Sequence, residues 1–214
     1  MNFDEFTSLV ENRGGSVSGK PALWKVVSVD LRGIGSKFEF GKNCKIENLS
    51  VTDYGGKNSY RIDENSKLSG IVKAGKNCQL AIGKNFSVTA ALKLHLSEGA
   101  DIIIGDNCMF GINVNIYNHD YHPIFSRSSG ERLNRSETVV IANNVWLANN
   151  VTILKGCVVN TGSVIGIGSI ASGEIPEYCI AAGSPARVIK RDIVWDRASL
   201  NTTHPDGIDY LGDL

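Results

Sequence analysis

Two of the chain's four histidines fall in one hexamer, NHDYHP, at residues 118–123. Imidazole is the side chain that changes charge near neutral pH. His119 and His122 could therefore act as a general base, as a metal pair, or as ordinary solvated residues. A base that takes a proton from an alcohol needs a proton affinity near the working pH and a partner that fixes its ring. Asp120, or a backbone carbonyl, is available for that second task. The two histidines are three residues apart in a stretch without strand period, so spacing alone does not choose between them. The segment around them, 117–138, is polar, holds Pro123 and Gly130, and mixes Arg127, Arg132 and Arg135 with Glu131 and Glu137.

Such a segment needs a scaffold, and the sequence on both sides of it counts in sixes. From Ile141 the hexamers read IANNVW, LANNVT, ILKGCV, VNTGSV and IGIGSI. The first position is always aliphatic (Ile141, Leu147, Ile153, Val159, Ile165). The fifth is small or β-branched (Val145, Val151, Cys157, Ser163, Ser169). A period of six with one aliphatic and one small residue is the signature of a parallel β-helix, three hexamers to a triangular coil. The same register appears upstream at Ile62, Leu68, Ala74 and Leu80, then after a two-residue slip at Ile82, Val88 and Leu94, and again at Ile104, Phe110 and Ile116. Phe40 and Ile46 carry Cys44 between them. GKNC occurs at 41–44 and 75–78 and GDNC at 105–108. Gly and Asn just before an inward residue suit corners that need left-handed backbone angles.

Cys44, Cys78, Cys108 and Cys157 all take the small inward position, which makes them packing residues rather than disulfide partners. The chain has no CxxC pair, which argues against a cysteine zinc site. Trp146, at the sixth hexamer position, should point out of the helix, where an indole needs cover from a ligand or another subunit.

The count fails at both ends. Over residues 1–35, Phe3, Phe6, Leu9 and Val10 share one helical face that stops at Gly14-Gly15, so this segment is expected to cap the coils or dock on a neighbour. The helix domain is expected over 36–190, with 117–138 looped out of its wall. The strand YCIAAG at 178–183 and then a helix or loop from near Pro185 are expected to close the other end, and a C-terminal cap and tail follow over 191–214. The fold class is thus all-β. Lys+Arg and Asp+Glu both number 22, so no global charge favours nucleic acid or a membrane surface. The acidic start lacks a secretory signal and no apolar run reaches membrane-spanning length, which points to a cytoplasmic protein.

The hexapeptide count, the out-looped HP, the following VW and the late AGSPARVIK resemble the hexapeptide-repeat acyltransferases. DYHPIFS, GERLN, VWLANNVTILKG and DIVWDR are similar to bacterial O-acetyltransferases of capsular polysaccharide, particularly polysialic acid. The resemblance covers about residues 40–195. It implies a left-handed helix, a homotrimer with active sites between subunits, acetyl-CoA as co-substrate, no metal, and a saccharide acceptor. It implies His122, which precedes Pro123, as the base, with His119 as competitor. It implies Trp146 as a brace for that base or for substrate. Asn149, Ile167, Ser172 and Gly173 are implied along the coil edges that hold the coenzyme, Gly173 by backbone only. Arg187 and Lys190 are the candidates for its phosphates.

Two other readings compete. A zinc-dependent hydratase on the same scaffold would recruit His95, His119 and His122 as ligands. A non-catalytic β-helix would serve as a rigid binding wall and would give the loop no special role. His95, after inward Leu94, should face outward; neither it nor His204 is assigned a role.

Overall fold

The computed structural model describes residues 1–198. His204 and most of the tail therefore lie outside the described residues. The chain forms a left-handed parallel β-helix of triangular section with one short α-helix at its start. Its three walls hold eight, six and seven hydrogen-bonded strands, and from Gln79 onward the chain visits them in that order on each turn. We call them the first, second and third wall.

The inward residues expected from the period of six are fully buried from Ile141 to Ser169. Each buried aliphatic side chain contributes roughly 1.5–3 kcal/mol of transfer free energy, and stacking them one above another makes a continuous rod of core. Cys44, Cys78, Cys108 and Cys157 lie in that rod, as does Cys179. Burial pushes the Cys44 and Cys108 thiols up to about 11 and that of Cys157 to about 12. They stay protonated and are packing groups, not nucleophiles.

The upstream slips have a structural cause. Before the loop, the first and third walls take three inward residues per pass, such as Ala100, Ile102, Ile104 and Val114, Ile116, Asn118. After it they take two. The extra positions bury polar groups that tie the corners together. Asn118 donates to Ala100 O (2.8 Å) and accepts from Ser97 N (2.9 Å). Asp53 accepts from Ser36 Oγ (2.5 Å), Tyr60 OH (3.1 Å) and Gly56 N (2.8 Å). A buried carboxylate with three donors is satisfied, so these interior polar groups do not weaken the coil.

Asparagine builds the corners. Between the first and second walls Asn43, Asn65, Asn85, Asn107 and Asn144 all have φ between 55° and 60°. This left-handed region is tolerated by Asn and costs other side chains about 1–2 kcal/mol. The GKNC and GDNC repeats are these corners and, at 75–78, the matching one between the third and first walls.

Both ends differ from a plain repeat. The helix Phe3–Asn12 is capped by Asn2 and Glu5 and buries Phe6 and Val10. Phe6 packs on Trp24 and Phe38, and Phe3 on Phe40, so the helix plugs the open end of the coils. The sheets begin at Ser16, inside the stretch that lacks the period of six: Ser16–Ser18 pairs with Lys37–Phe40, and Leu23–Leu31 with Lys45–Gly56. At the other end Cys179–Gly183 is followed not by a helix but by an antiparallel strand, Ala186–Arg191. The chain then runs back along the Asn corners. Trp195 Nε1 donates to Asn144 O (2.7 Å), and Arg197 donates to Asn85 O (3.2 Å) and Asn107 O (3.0 Å).

Candidate active site

The loop leaves after the strand Asn115–Tyr117 and returns at Val139–Ile141, so it projects from the corner between the third and first walls. The scaffold closes behind it: Ile102–Ile104 pairs in register with Val139–Ile141 as though nothing had been inserted. The two ends of the loop are joined by Glu137 N donating to Asn118 O (2.9 Å).

Inside the loop, side chains replace the missing ladder. Asn134, buried, donates from Nδ2 to His122 O (2.8 Å) and to Asp120 Oδ2 (3.1 Å), while its Oδ1 accepts from Ile124 N (2.6 Å). One amide thus fixes the backbone on both sides of His122 and Pro123. Lys155, from the next coil, pairs with Asp120 at 2.9 Å and donates to Arg135 O at 3.1 Å. That ammonium holds the Asp120 carboxyl below its usual range. Glu98 receives both guanidinium ends of Arg132 and both the N–H and the hydroxyl of Ser136, which lowers its carboxyl to about 2.

His122 is exposed on this braced loop. Asp120, expected as a partner for its ring, faces Lys155 and Asn134 instead. His119 is half-buried, its Nδ1 accepts from Tyr121 N (3.1 Å), and burial lowers its pKa. His95 does face outward on the third wall, between Lys73 and Tyr117, but Tyr121 covers it. The Tyr121 hydroxyl bonds His95 Nδ1, and His95 is only 6% exposed. Burial, first, and then the charge of Lys73 push its pKa down to about 4. The three histidines of the hydratase alternative are therefore not assembled in one chain, since His95 is committed to Tyr121. No group of three metal-ligating side chains occurs among the described residues.

Trp146 stands on the second wall, in the strand Trp146–Leu147, 36% exposed, with its ring centroid 6.0 Å from that of Trp195. In a triangular section this wall lies opposite the corner that carries His122. The polar contacts of the loop all go to that corner and the third wall. One chain therefore does not bring His122 and Trp146 together.

The candidate coenzyme residues fall in two groups. Asn149 and the 69%-exposed Ile167 stack at the corner between the second and third walls, where Asn149 Oδ1 also accepts from Ile112 N (2.8 Å). The turn leading to exposed Arg187 and Lys190 follows above this corner, Gly183 N donating to Ser169 Oγ (3.0 Å). Ser172 and Gly173 are exposed at the next corner, above Gly156 and the loop. Nothing lies within 4 Å of where a Cβ on Gly173 would stand, so that edge is open. Lys155, Asn134 and Tyr121 were not singled out from sequence; only their fold neighbours reveal their roles.

No protein-family model matches the chain. It is 39% identical over 137 residues to a polysialic acid O-acetyltransferase of Escherichia coli O1:K1 / APEC, a match covering 64% of this chain and 44% of that protein. It thus spans less than half the length of that relative. It is 32% identical over 187 residues to the polysialic acid O-acetyltransferase of Neisseria meningitidis, covering 86% of each. Among solved structures, the polySia-specific acetyltransferase NeuO superimposes with a TM-score of 0.83 at 34% identity, over 87% of each chain.

Proposed function

Since the chain belongs to the polysialic acid O-acetyltransferase family of hexapeptide-repeat proteins, we propose that it transfers acetyl from acetyl-CoA to a hydroxyl of a sialic-acid-containing capsular or cell-surface polysaccharide. The active form in this reading is a homotrimer with three sites, each between two copies. The donor places the reaction in the cytoplasm; no described helix is long and apolar enough to cross a membrane.

The observation that carries the reading is the placement of His122 and Trp146 on opposite sides of one coil. Two copies set side by side around an axis put the loop of one against the second wall of the next. Ile124, Phe125 and Leu133, 55–64% exposed on the loop, supply apolar surface for that contact. In the cleft so formed, His122 takes the proton of the sugar hydroxyl as its oxygen attacks the thioester carbonyl. The carbon–sulfur bond breaks and the proton passes to the leaving thiolate. The braced Asp120–Asn134–Lys155 cluster keeps the loop still, so the imidazole meets the alcohol without a reorganisation cost. Exposed Arg187, whose Nη1 donates to Ala186 O (2.9 Å), and exposed Lys190 would meet the phosphates, and Asn149, Ile167, Ser172 and Gly173 line the open coil edges toward which the pantetheine arm would run.

Purified protein, acetyl-CoA and a panel of sialylated and neutral glycans test this directly. Acetyl transfer to the sialylated members is expected, and His122→Ala should lower turnover about 10²–10⁴-fold while coenzyme affinity is kept. Transfer to none of the glycans would refute the reading; full activity in His122→Ala, with loss in His119→Ala, would reassign the base.

A further inference from the structure

Beneath the loop, against the third wall, lies a cleft of about 380 Å³ lined by Tyr54, Lys73, Ser97, Glu98, His119 and Tyr121, among others. Its size falls within the roughly 300–1,000 Å³ typical of small-molecule sites. It adjoins the segment that presents His122, and its charges do not cancel. Glu98 is the one carboxylate lining it, and both oxygens of Glu98 are occupied by Arg132 and Ser136. That contact neutralises Arg132 in turn.

Lys73 takes part in none of the ion pairs among the described residues. It stands on the outer face of the third wall, in register between Thr52 and His95, two groups without negative charge. Beside it Tyr54 is 48% exposed, and Arg32 lies 4.9 Å over one face of its ring, itself paired with Asp30. A single uncompensated ammonium, a fixed aromatic side chain and the Ser97 hydroxyl in one cleft describe a site for one acidic ring. The ammonium takes a carboxylate, and the tyrosine takes the apolar face of the ring.

We propose that this cleft is a subsite for a carboxylated sugar unit of the acceptor, with Lys73 binding the carboxylate and Tyr54 the ring. It rests on the reading of the protein as a glycan acetyltransferase and names the property by which the acceptor is recognised.

The full chain, without donor, is titrated calorimetrically with an α2,8-linked oligosialic acid and with the same oligosaccharide after reduction of its carboxyl groups. Lys73→Met is expected to bind the acidic form about ten-fold more weakly than wild type, the loss of one charge-assisted contact, and Lys73→Arg to bind it nearly as well. All three proteins should bind the reduced form alike. Unchanged affinity in Lys73→Met, equal wild-type affinity for both forms, or no binding by wild type would overturn the subsite. Lys73-dependent binding with no acetyl transfer would leave the subsite standing and refute the transferase reading instead.

Discussion

Burial holds the His95 imidazole neutral down to about pH 4 in the folded protein, whereas in an unfolded chain it protonates near 6.5. Above about pH 6.5 both states carry a neutral ring and the group contributes no pH dependence. As pH falls from there toward 4, the unfolded chain gains a proton that the folded protein does not, so stability drops. The loss by pH 4.5 should be on the order of 2–3 kcal/mol. Urea unfolding at pH 7 and pH 4.5 checks it: His95→Gln should lose less stability between the two than wild type, and an equal loss in both would show that the ring titrates freely. At this scale sequence was informative about which residues and silent about how they are held. The NHDYHP hexamer marked the candidate site, but choosing His122 over His119 drew on likeness to relatives. Only the fold shows Tyr121 turned back onto His95, and Asp120 turned away to Lys155. Those partners lie tens of residues away in the chain, where no local spacing could announce them.

Coils and corners were the most legible level. Every hexamer from Ile141 onward reads directly into the walls, because two inward residues per wall leave the period intact. Upstream, a third inward position on two walls stretches the turn, and the period slips wherever Asn58, Ile82 or Asn118 is fitted in. The first turn was opaque for another reason. Leu23–Leu31 alternates as a strand and bends at Val26, where φ is 52°, without Gly or Asn to signal the corner. The closing strand Ala186–Arg191 was equally hidden, since its partner runs antiparallel and lies outside any repeat. Corner chemistry makes a clean prediction. Asn77 is exposed, with φ of 59°, so its contribution is conformational. Asn77→Gly should leave stability almost unchanged, whereas Asn77→Val should cost about 1–3 kcal/mol by chemical denaturation. Equal stability of the two variants would mean that the corner relaxes.

For the whole molecule, the triangular section decides where chemistry can occur. A loop at one vertex and an indole on the facing wall do not meet within one chain; in the proposed trimer each serves a neighbour. Two inactive variants should therefore repair one another. When His122→Ala and Trp146→Ala chains are unfolded together and refolded as mixed trimers, about a quarter of the interfaces pair an intact His122 with an intact Trp146. Acetyl-transfer assays should recover a comparable share of activity. Mixed trimers as inactive as their parents would place both residues in one subunit's site, or leave Trp146 a packing residue.

The hydrogen bond from Glu137 to Asn118 at the loop's root has one more implication. The segment that presents His122 enters and leaves the scaffold through a single latched gate, and the winding on either side keeps its registration across it. The excursion can therefore be exchanged for another without disturbing the coil that carries Trp146, Tyr54 and Lys73.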